Sequence, residues 1–235
     1  MTTAISLAAR IVGVVRTPRA TLEHVAAAPR TLDILVVTFV TAALSSALLL
    51  RTDIGRFALL DRWERTALAV GQQVDDARYE AMRRAAGNGA AYAVASASAS
   101  IPLLAVVLSA VLVGAFRLTG RPGATYSQVL AVVSHAGVIL ALREVVTAPF
   151  VYARETLANP ATLALFVPAL AETSLPARFF GILDLFVLWW TVVLAVGLSA
   201  VYGTPVRRLA LAFMGVYVLL AGVLAITMAL AGGTA

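Results

Sequence analysis

The stretch LFVLWWTVVLAVGLSAVYGTPV, residues 185–206, predicts a membrane-spanning helix because it runs for 22 residues without a charged side chain. A helix of about 20 mainly apolar residues crosses the ~30 Å hydrocarbon core of a bilayer. Four further uncharged stretches follow the same pattern, and each is long enough, with its flanks, to form one span. They are Ile34–Leu50, Ala85–Phe116, Pro122–Leu142 and Leu209–Ala235.

The composition of the whole chain indicates the same class. Of its 235 residues 61% are hydrophobic and 13% are charged, about half the charged share of an average globular protein. A soluble enzyme, a disordered tail and a nucleic-acid-binding domain are excluded, because each needs far more polar surface. We predict an all-α, polytopic membrane helix bundle, with residues 32–231 as a single transmembrane domain and 232–235 as a tail. The five predicted spans lie near 32–51, 95–117, 124–143, 180–202 and 209–231.

Residues 1–31 are predicted to be a cytoplasmic segment that lies at the membrane interface. The segment 3–15 has one apolar helical face, with Ser6 and Arg10 elsewhere, which suits a helix lying along the membrane surface. Thr17 and Pro18 are typical of an N-cap and a first helical position, so a second short helix is expected to follow. The apolar face consists of Ile5, Ala8, Ile11, Val12 and Val15.

The most polar loop is expected to form one amphipathic helix at about 58–86. Apolar residues recur there at three- and four-residue steps from Leu60 through Val70 to Ala77, which gives one apolar stripe. The segment 155–179 contains three prolines and cannot form an uninterrupted span. Short interfacial helices are expected there instead.

The placement of arginine predicts the orientation. All 18 basic residues are arginines, and this usage beside abundant alanine is typical of GC-rich prokaryotic genes. Arginines are densest in residues 1–30 and in the tight turns near 117–123 and 203–208. Since arginine and lysine near span ends favour the cytoplasmic side, we expect a cytoplasmic N-terminus and an external C-terminus in a cell (inner) membrane.

Four polar residues are candidates for a functional site, because polar groups at membrane depth are costly. Asp184 lies near the start of the fourth predicted span, and Thr191 lies seven residues later on nearly the same face. His135 lies midway along the third span, and Arg143 lies near its outer end, where an ion pair with Asp184 could form. These groups could line a proton or solute path, or they could be structural contacts between helices. Their small number favours the structural alternative.

The sequence gives no sign of an enzyme or of a cofactor. It contains no cysteine, so it has no disulfide and no thiolate metal site, and a single histidine in a span does not make a metal site. It also lacks a hydrolase nucleophile elbow, a HExxH pair, a phosphate loop and a dinucleotide-binding glycine pattern. We therefore predict no catalytic, cofactor-binding or metal-ligating residues. Small residues four apart permit close helix packing within one chain or between copies, which leaves a homo-oligomer open.

Several short motifs resemble those of the Yip family, the Ypt/Rab-interacting membrane proteins also called YIPF. A Thr17–Pro18 pair precedes the first span, a tight basic turn joins the second and third spans, and the third span opens on YSQVL at 126–130. The most specific motif is the D-x-F-x-x-W run that opens the fourth span. It is formed by Asp184, Phe186 and Trp189 and is followed by Gly197 and by a basic turn at Arg207 and Arg208.

The resemblance covers about residues 10–231 and implies five spans, a cytoplasmic N-terminus and a non-enzymatic role in membrane organisation or trafficking. Eukaryotic members engage lipidated Rab GTPases, a partner not expected in a prokaryote. This chain departs from the family pattern in lacking a proline near 137–139. We therefore predict a protein that lies in the lipid bilayer and binds or organises membrane or cytoplasmic protein partners. The sequence does not specify which proteins these are. The alternative is a small-solute or lipid transporter that uses the polar residues named above.

Overall fold

A computed structural model describes residues 5–69, 71–120, 123–171 and 173–231, and these residues confirm the predicted all-α class. A short 3₁₀ helix lies at Leu163–Phe166 and precedes α9. The α-helices are α1 Leu7–Arg16, α2 Pro18–Ala27, α3 Leu32–Arg51, α4 Asp53–Ala69, α5 Asp76–Ala86, α6 Gly89–Leu118, α7 Tyr126–Ala136, α8 Val138–Ala153, α9 Leu175–Ile182, α10 Leu185–Tyr202 and α11 Val206–Ala231.

Among the residues that the structure describes, five helical stretches are long and apolar enough to cross a membrane, as predicted. The second span begins at Gly89, six residues earlier than expected, because Gly87, Asn88 and Gly89 end α5 and α6 starts at once. The fourth span begins at Leu185 and not near 180, since α9 ends separately at Ile182. The spans are Leu32–Arg51, Gly89–Leu118, Tyr126–Ala153, Leu185–Tyr202 and Val206–Leu230.

The third span consists of α7 and α8, which are separated by a brief interruption at Gly137. The Gly137 carbonyl accepts hydrogen bonds from the backbone N–H groups of both Leu140 and Ala141, each at 3.0 Å. This sharing of one carbonyl between i+3 and i+4 donors tightens the helix locally. The span is thus interrupted at the place where the sequence lacks the proline of the family pattern.

The chain packs into two compact units, and each is made of separate stretches of sequence. Unit 1 comprises residues 1–42, 97–143 and 186–215. Unit 2 comprises residues 43–96, 144–185 and 216–235. The predicted domain boundaries after residues 31 and 231 stay predictions, and the tail at 232–235 lies outside the described residues.

The core of unit 1 is built mainly from α1, α2, α6, α7 and α10. Val14, Leu22 and Leu198 are fully buried in it. Gly197 allows α10 to come close to its neighbours, because a Cβ atom there would lie 2.5 Å from Cγ1 of Val132. The N-terminal helices are therefore part of a packed core and not separate appendages.

In unit 2 the predicted single helix at 58–86 is wrong, because α4 ends at Ala69 and α5 begins at Asp76. Gly71 has a φ of 75°, a left-handed conformation that ends helices and suits glycine. The Asp75 carboxylate then caps the new helix by accepting a hydrogen bond from the N–H of Arg78 at 2.8 Å. Of the predicted stripe, Leu60 is buried and Ala77 is exposed, while Val70 lies outside the described residues.

The segment 155–179 forms short helical elements, as predicted. The 3₁₀ helix at Leu163–Phe166 and the start of α9 at Leu175 both lie within it. The side chain of Ser174 caps α9 by accepting a hydrogen bond from the N–H of Ala177. The prolines thus divide this segment into pieces that are too short to cross a bilayer.

Candidate functional site

The N-terminal helix α1 places a charged side chain inside unit 1. Arg10 is only 5% exposed, together with Val14 one turn further along the helix. The predicted apolar face lies on the opposite side, where Val12 remains 50% exposed. The helix therefore packs against the protein through the face that carries its arginine.

The buried guanidinium of Arg10 has two partners from other helices. Its Nη2 pairs with Oδ2 of Asp33, and its Nη1 lies 3.4 Å from Oδ1 of the same carboxylate. Nη1 also lies 3.0 Å from Nε2 of His135, which is fully buried in α7. We refer to Arg10, Asp33 and His135 as the N-terminal triad.

The hydrogen bonds assign the proton of His135. A guanidinium only donates, so Nε2 of His135 accepts from Arg10. Nδ1 then carries the proton and donates it to the carbonyl of Ala131 at 2.7 Å. His135 is therefore a neutral imidazole whose two nitrogens are both occupied, which is a positioning contact and not a free base.

Asp33 is well placed to hold its negative charge. It lies in the first turn of α3, where its Oδ1 accepts a hydrogen bond from the N–H of Ile34 at 2.9 Å. A carboxylate near a helix N-terminus is stabilised by the exposed backbone N–H groups. The pairing also compensates the Arg10 charge, which would otherwise be costly to bury.

A second attachment fixes α2 to α7 within the same unit. The side-chain amide of Gln128 donates to the carbonyl of Ala26 at 3.2 Å, near the end of α2. The Gln128 carbonyl oxygen accepts from the N–H of Thr125 at 3.0 Å, which completes a capping box at the start of α7. Tyr126 donates its hydroxyl proton to the carbonyl of Val106. The YSQ motif thus starts a span and holds its neighbours.

Asp184 lies just before α10 and not inside the fourth span, which corrects the predicted position. Residues 183–184 are extended, because Asp184 forms an isolated antiparallel bridge with Thr162. Two backbone hydrogen bonds of 2.8 Å, from Leu163 to Leu183 and from Leu185 to Ala161, flank this bridge. The helix can begin only after these residues.

The Asp184 carboxylate and backbone are both used in contacts within unit 2. Its Oδ2 accepts a hydrogen bond from Nδ2 of Asn159 at 2.6 Å, and the carboxylate is buried. Its backbone N–H donates to the hydroxyl oxygen of Tyr217, and that hydroxyl donates in turn to the carbonyl of Ile182 at 2.7 Å. We call Asp184, Asn159, Thr162 and Tyr217 the α10 junction.

The remaining predicted site residues are Thr191 and Arg143. Thr191 is buried and donates its hydroxyl proton to the carbonyl of Leu188 at 2.7 Å, within its own helix. Arg143 is half-buried in α8. The ion pair between Asp184 and Arg143, and a functional role for any of these residues, stay predictions.

The family-motif residues mainly position helices. Pro18 occupies the first turn of α2 as predicted, but the side chain of Thr17 makes no capping bond and contacts the carbonyl of Gly13 at 3.5 Å instead. Phe186 and Trp189 pack against the core of unit 1, with ring centroids 6.2 Å apart. Gly197 provides the close approach described above.

Sequence reasoning found His135 and Asp184 but missed their partners. Arg10 and Asp33 of the N-terminal triad, and Asn159 and Tyr217 of the α10 junction, were not candidates. One signal for Arg10 was available, since Leu7, Ile11 and Val14 form a second apolar stripe beside it. Within the part of the chain that the structure describes, no three His, Asp or Glu side chains gather as a metal site would need.

A family model described as the Yip1 domain matches residues 12–228 of this chain. The match includes His135, Asp33 and the whole α10 junction, whereas Arg10 lies two residues before it. No curated protein and no solved structure matches the chain significantly.

Proposed function

Since this chain belongs to the Yip1 domain family, we propose that it is a non-enzymatic multi-pass membrane protein that binds a protein partner through the outward face of α2. The N-terminal segment lies on the cytoplasmic side in this proposal. The observation that carries it is a polar helix face held in a fixed position at the N-terminal end of a membrane bundle.

The inner face of α2 is fully engaged in the core of unit 1. Leu22 and Val25 are buried there, and Gln128 holds the C-terminal end of the helix. The outer face remains exposed and polar, with Arg19 and Glu23 joined by an ion pair of 2.9 Å. A rigid, polar and exposed helix loses little conformational entropy on binding a partner.

Exposed arginines near the ends of spans support a cytoplasmic position for the N-terminal segment. Arg16, Arg19 and Arg30 are exposed in the N-terminal segment, and Arg207 and Arg208 are exposed in the first turn of α11. Basic residues near span ends favour cytoplasmic retention, whereas acidic residues have little influence.

The absence of enzymatic activity is supported by how the buried polar groups are used. Both nitrogens of His135 are engaged by Arg10 and Ala131. Asp184 lies in a bridge between two short backbone segments. A general base needs a nitrogen or oxygen directed at a substrate proton, and these side chains are directed at protein atoms instead.

Site-specific photocrosslinking in intact cells tests the proposal. A photoreactive amino acid at Ala20, which is exposed on α2, is expected to give a discrete protein adduct. The matched control is Ala81, which is exposed on α5 in unit 2. Adducts of the same pattern at both positions, or none at Ala20, would contradict the proposal.

A further inference from the structure

The outward face of α1 is apolar although its other face packs against protein. Val12 is 50% exposed, and Ile5 and Val15 are also exposed. The same face includes Ala8 and Ala9, and it begins beside the Ser6 cap of the helix. This differs from α2, whose outward face is polar.

The N-terminal triad places α1 at the level where a span begins. Arg10 pairs with Asp33, the second residue of the span Leu32–Arg51. Val36 and Val40, which follow on that span, are exposed and apolar, as expected of side chains that contact lipid. The exposed apolar face of α1 therefore lies near the boundary of the hydrocarbon region.

The charges beside this face are basic. Arg16 ends α1 and is exposed, and Arg19 and Arg30, which follow in the chain at the start of α2 and after its end, are exposed as well. The single acidic residue between them, Glu23, is already paired with Arg19. An apolar helical face bordered by arginines matches the surface of a bilayer that contains anionic lipids.

We propose that the outward face of α1 inserts into the surface of an anionic bilayer and that the N-terminal triad fixes the rotation of the helix that makes this insertion favourable. Arg10 holds one side of α1 to the protein, and Val12 and Val15 are thereby directed at lipid. The proposal goes beyond the function proposed above, because it concerns a different helix and a lipid partner.

A second copy of the chain fits this face less well than lipid does. The ten residues of α1 make a helix about 15 Å long. Stable protein–protein interfaces bury about 800 Å² on each partner, far more than one face of so short a helix offers. Insertion into headgroups requires no such area, because the rest of the chain already holds α1 at the membrane.

Single-cysteine spin labelling tests the proposal directly, since the chain contains no cysteine. The purified full-length variants Val12→Cys, Val15→Cys, Val36→Cys and Ala20→Cys would be labelled and placed in nanodiscs of phosphatidylcholine with about 30% phosphatidylglycerol. Oxygen concentrates in lipid and a nickel chelate in water. The ratio of oxygen to nickel collision is expected to be several-fold higher at positions 12 and 15 than at 20, and to approach the value at 36.

Two results would overturn the proposal. Ratios at positions 12 and 15 equal to that at 20 would mean that the face lies in water. Shielding from both reagents, with dipolar broadening between labels, would mean that a second copy covers it. Neither result bears on α2, so the photocrosslinking test at Ala20 stays independent. The ratio at position 12 is also expected to fall in pure phosphatidylcholine, because the arginines then lose their anionic partners.

Discussion

At the scale of single residues, the arrangement depends on a few buried polar contacts that join distant parts of the sequence. Arg10 and His135 are 125 positions apart, and Asp184 and Tyr217 are 33 apart. Sequence patterns identify a polar residue at membrane depth because it is unusual there. They do not identify its partner, because helix periodicity says nothing about which helices become neighbours. This is why His135 was predicted and Arg10 was not.

The N-terminal triad gives the first prediction. Asp33→Ala is expected to lower the free energy of unfolding in detergent by about 3 kcal/mol, because it leaves the buried guanidinium of Arg10 without its anion. Thermal unfolding followed by circular dichroism measures the change. The control is Asp53→Ala, which removes another first-turn acid whose ion pair with Arg56 is exposed. Equal effects of the two variants would show that pairing Asp33 with the buried Arg10 stabilises the fold no more than an exposed ion pair does.

Removing the charges of both Arg10 and Asp33 distinguishes the effect of an unpaired charge from the effect of lost side-chain packing. Arg10→Met combined with Asp33→Asn replaces the buried charge by an apolar side chain of similar length. The double variant is expected to be more stable than Asp33→Ala, because no uncompensated charge remains. A double variant that is less stable than Asp33→Ala would contradict this explanation.

The α10 junction gives the second prediction. Tyr217→Phe removes the hydroxyl that bonds to Ile182 and Asp184, and the expected loss is about 1–3 kcal/mol. Tyr126→Phe is the control, because that hydroxyl belongs to an exposed side chain and makes one hydrogen bond, to the carbonyl of Val106, so its loss is expected to cost less than about 1 kcal/mol. Thermal unfolding of both variants in the same detergent gives the comparison. A reversed order of the two losses would refute the assignment.

At the scale of elements, the spans were predictable and the loop helices were only partly so. An uncharged run of some 20 residues is a strong signal because the bilayer selects for it. The apolar stripe from Leu60 to Ala77 was a weaker signal, and the predicted helix is divided within it into α4 and α5. Gly71 and the Asp75 cap decide that break, and local conformation of this kind competes with periodicity. Asp184 shows the same effect, since its backbone bridge with Thr162 makes the fourth span begin later than predicted.

Helix packing gives the third prediction. Gly197→Ala places a methyl group 2.5 Å from Cγ1 of Val132, and the strain is expected to cost about 1–3 kcal/mol. Gly114→Ala is the control, because nothing lies within 4 Å of its Cβ position and alanine is the better helix former. Thermal unfolding measures both variants. Val132→Ala is expected to restore part of the loss in Gly197→Ala, and the absence of any such coupling would contradict a direct clash.

At the scale of the whole molecule, the chain is a multi-pass Yip1-domain membrane protein, and its described residues include five helices that are long and apolar enough to span a membrane. Hydrophobicity and the family motifs were sufficient to predict this much, since both follow from the sequence alone. The burial of Arg10 in unit 1 was not predictable from the same signals. An arginine within residues 1–31 suggested a solvated or headgroup contact, and only the neighbouring helices supply its acid and its imidazole.

Topology gives the fourth prediction. Reporter fusions are expected to place positions 120 and 205 in the cytoplasm, with position 75 and the C-terminus outside, because exposed arginines are densest on the first side. Alkaline phosphatase and fluorescent protein fusions report opposite sides and serve as mutual controls. A cytoplasmic signal at position 75 would reverse the orientation.

The neutral tautomer of His135 has a consequence for how the chain is inserted during synthesis. In the folded third span the imidazole is neutral, and its Nδ1 proton bonds to Ala131 one turn earlier in the same helix, a contact that needs no other part of the chain. Arg10 and Asp33 leave the ribosome about a hundred residues sooner. Their charges can neutralise each other at the membrane surface before α7 arrives. The order of the three residues along the chain is therefore compatible with Arg10 and Asp33 pairing before His135 reaches them, so that no unpaired charge need cross the lipid.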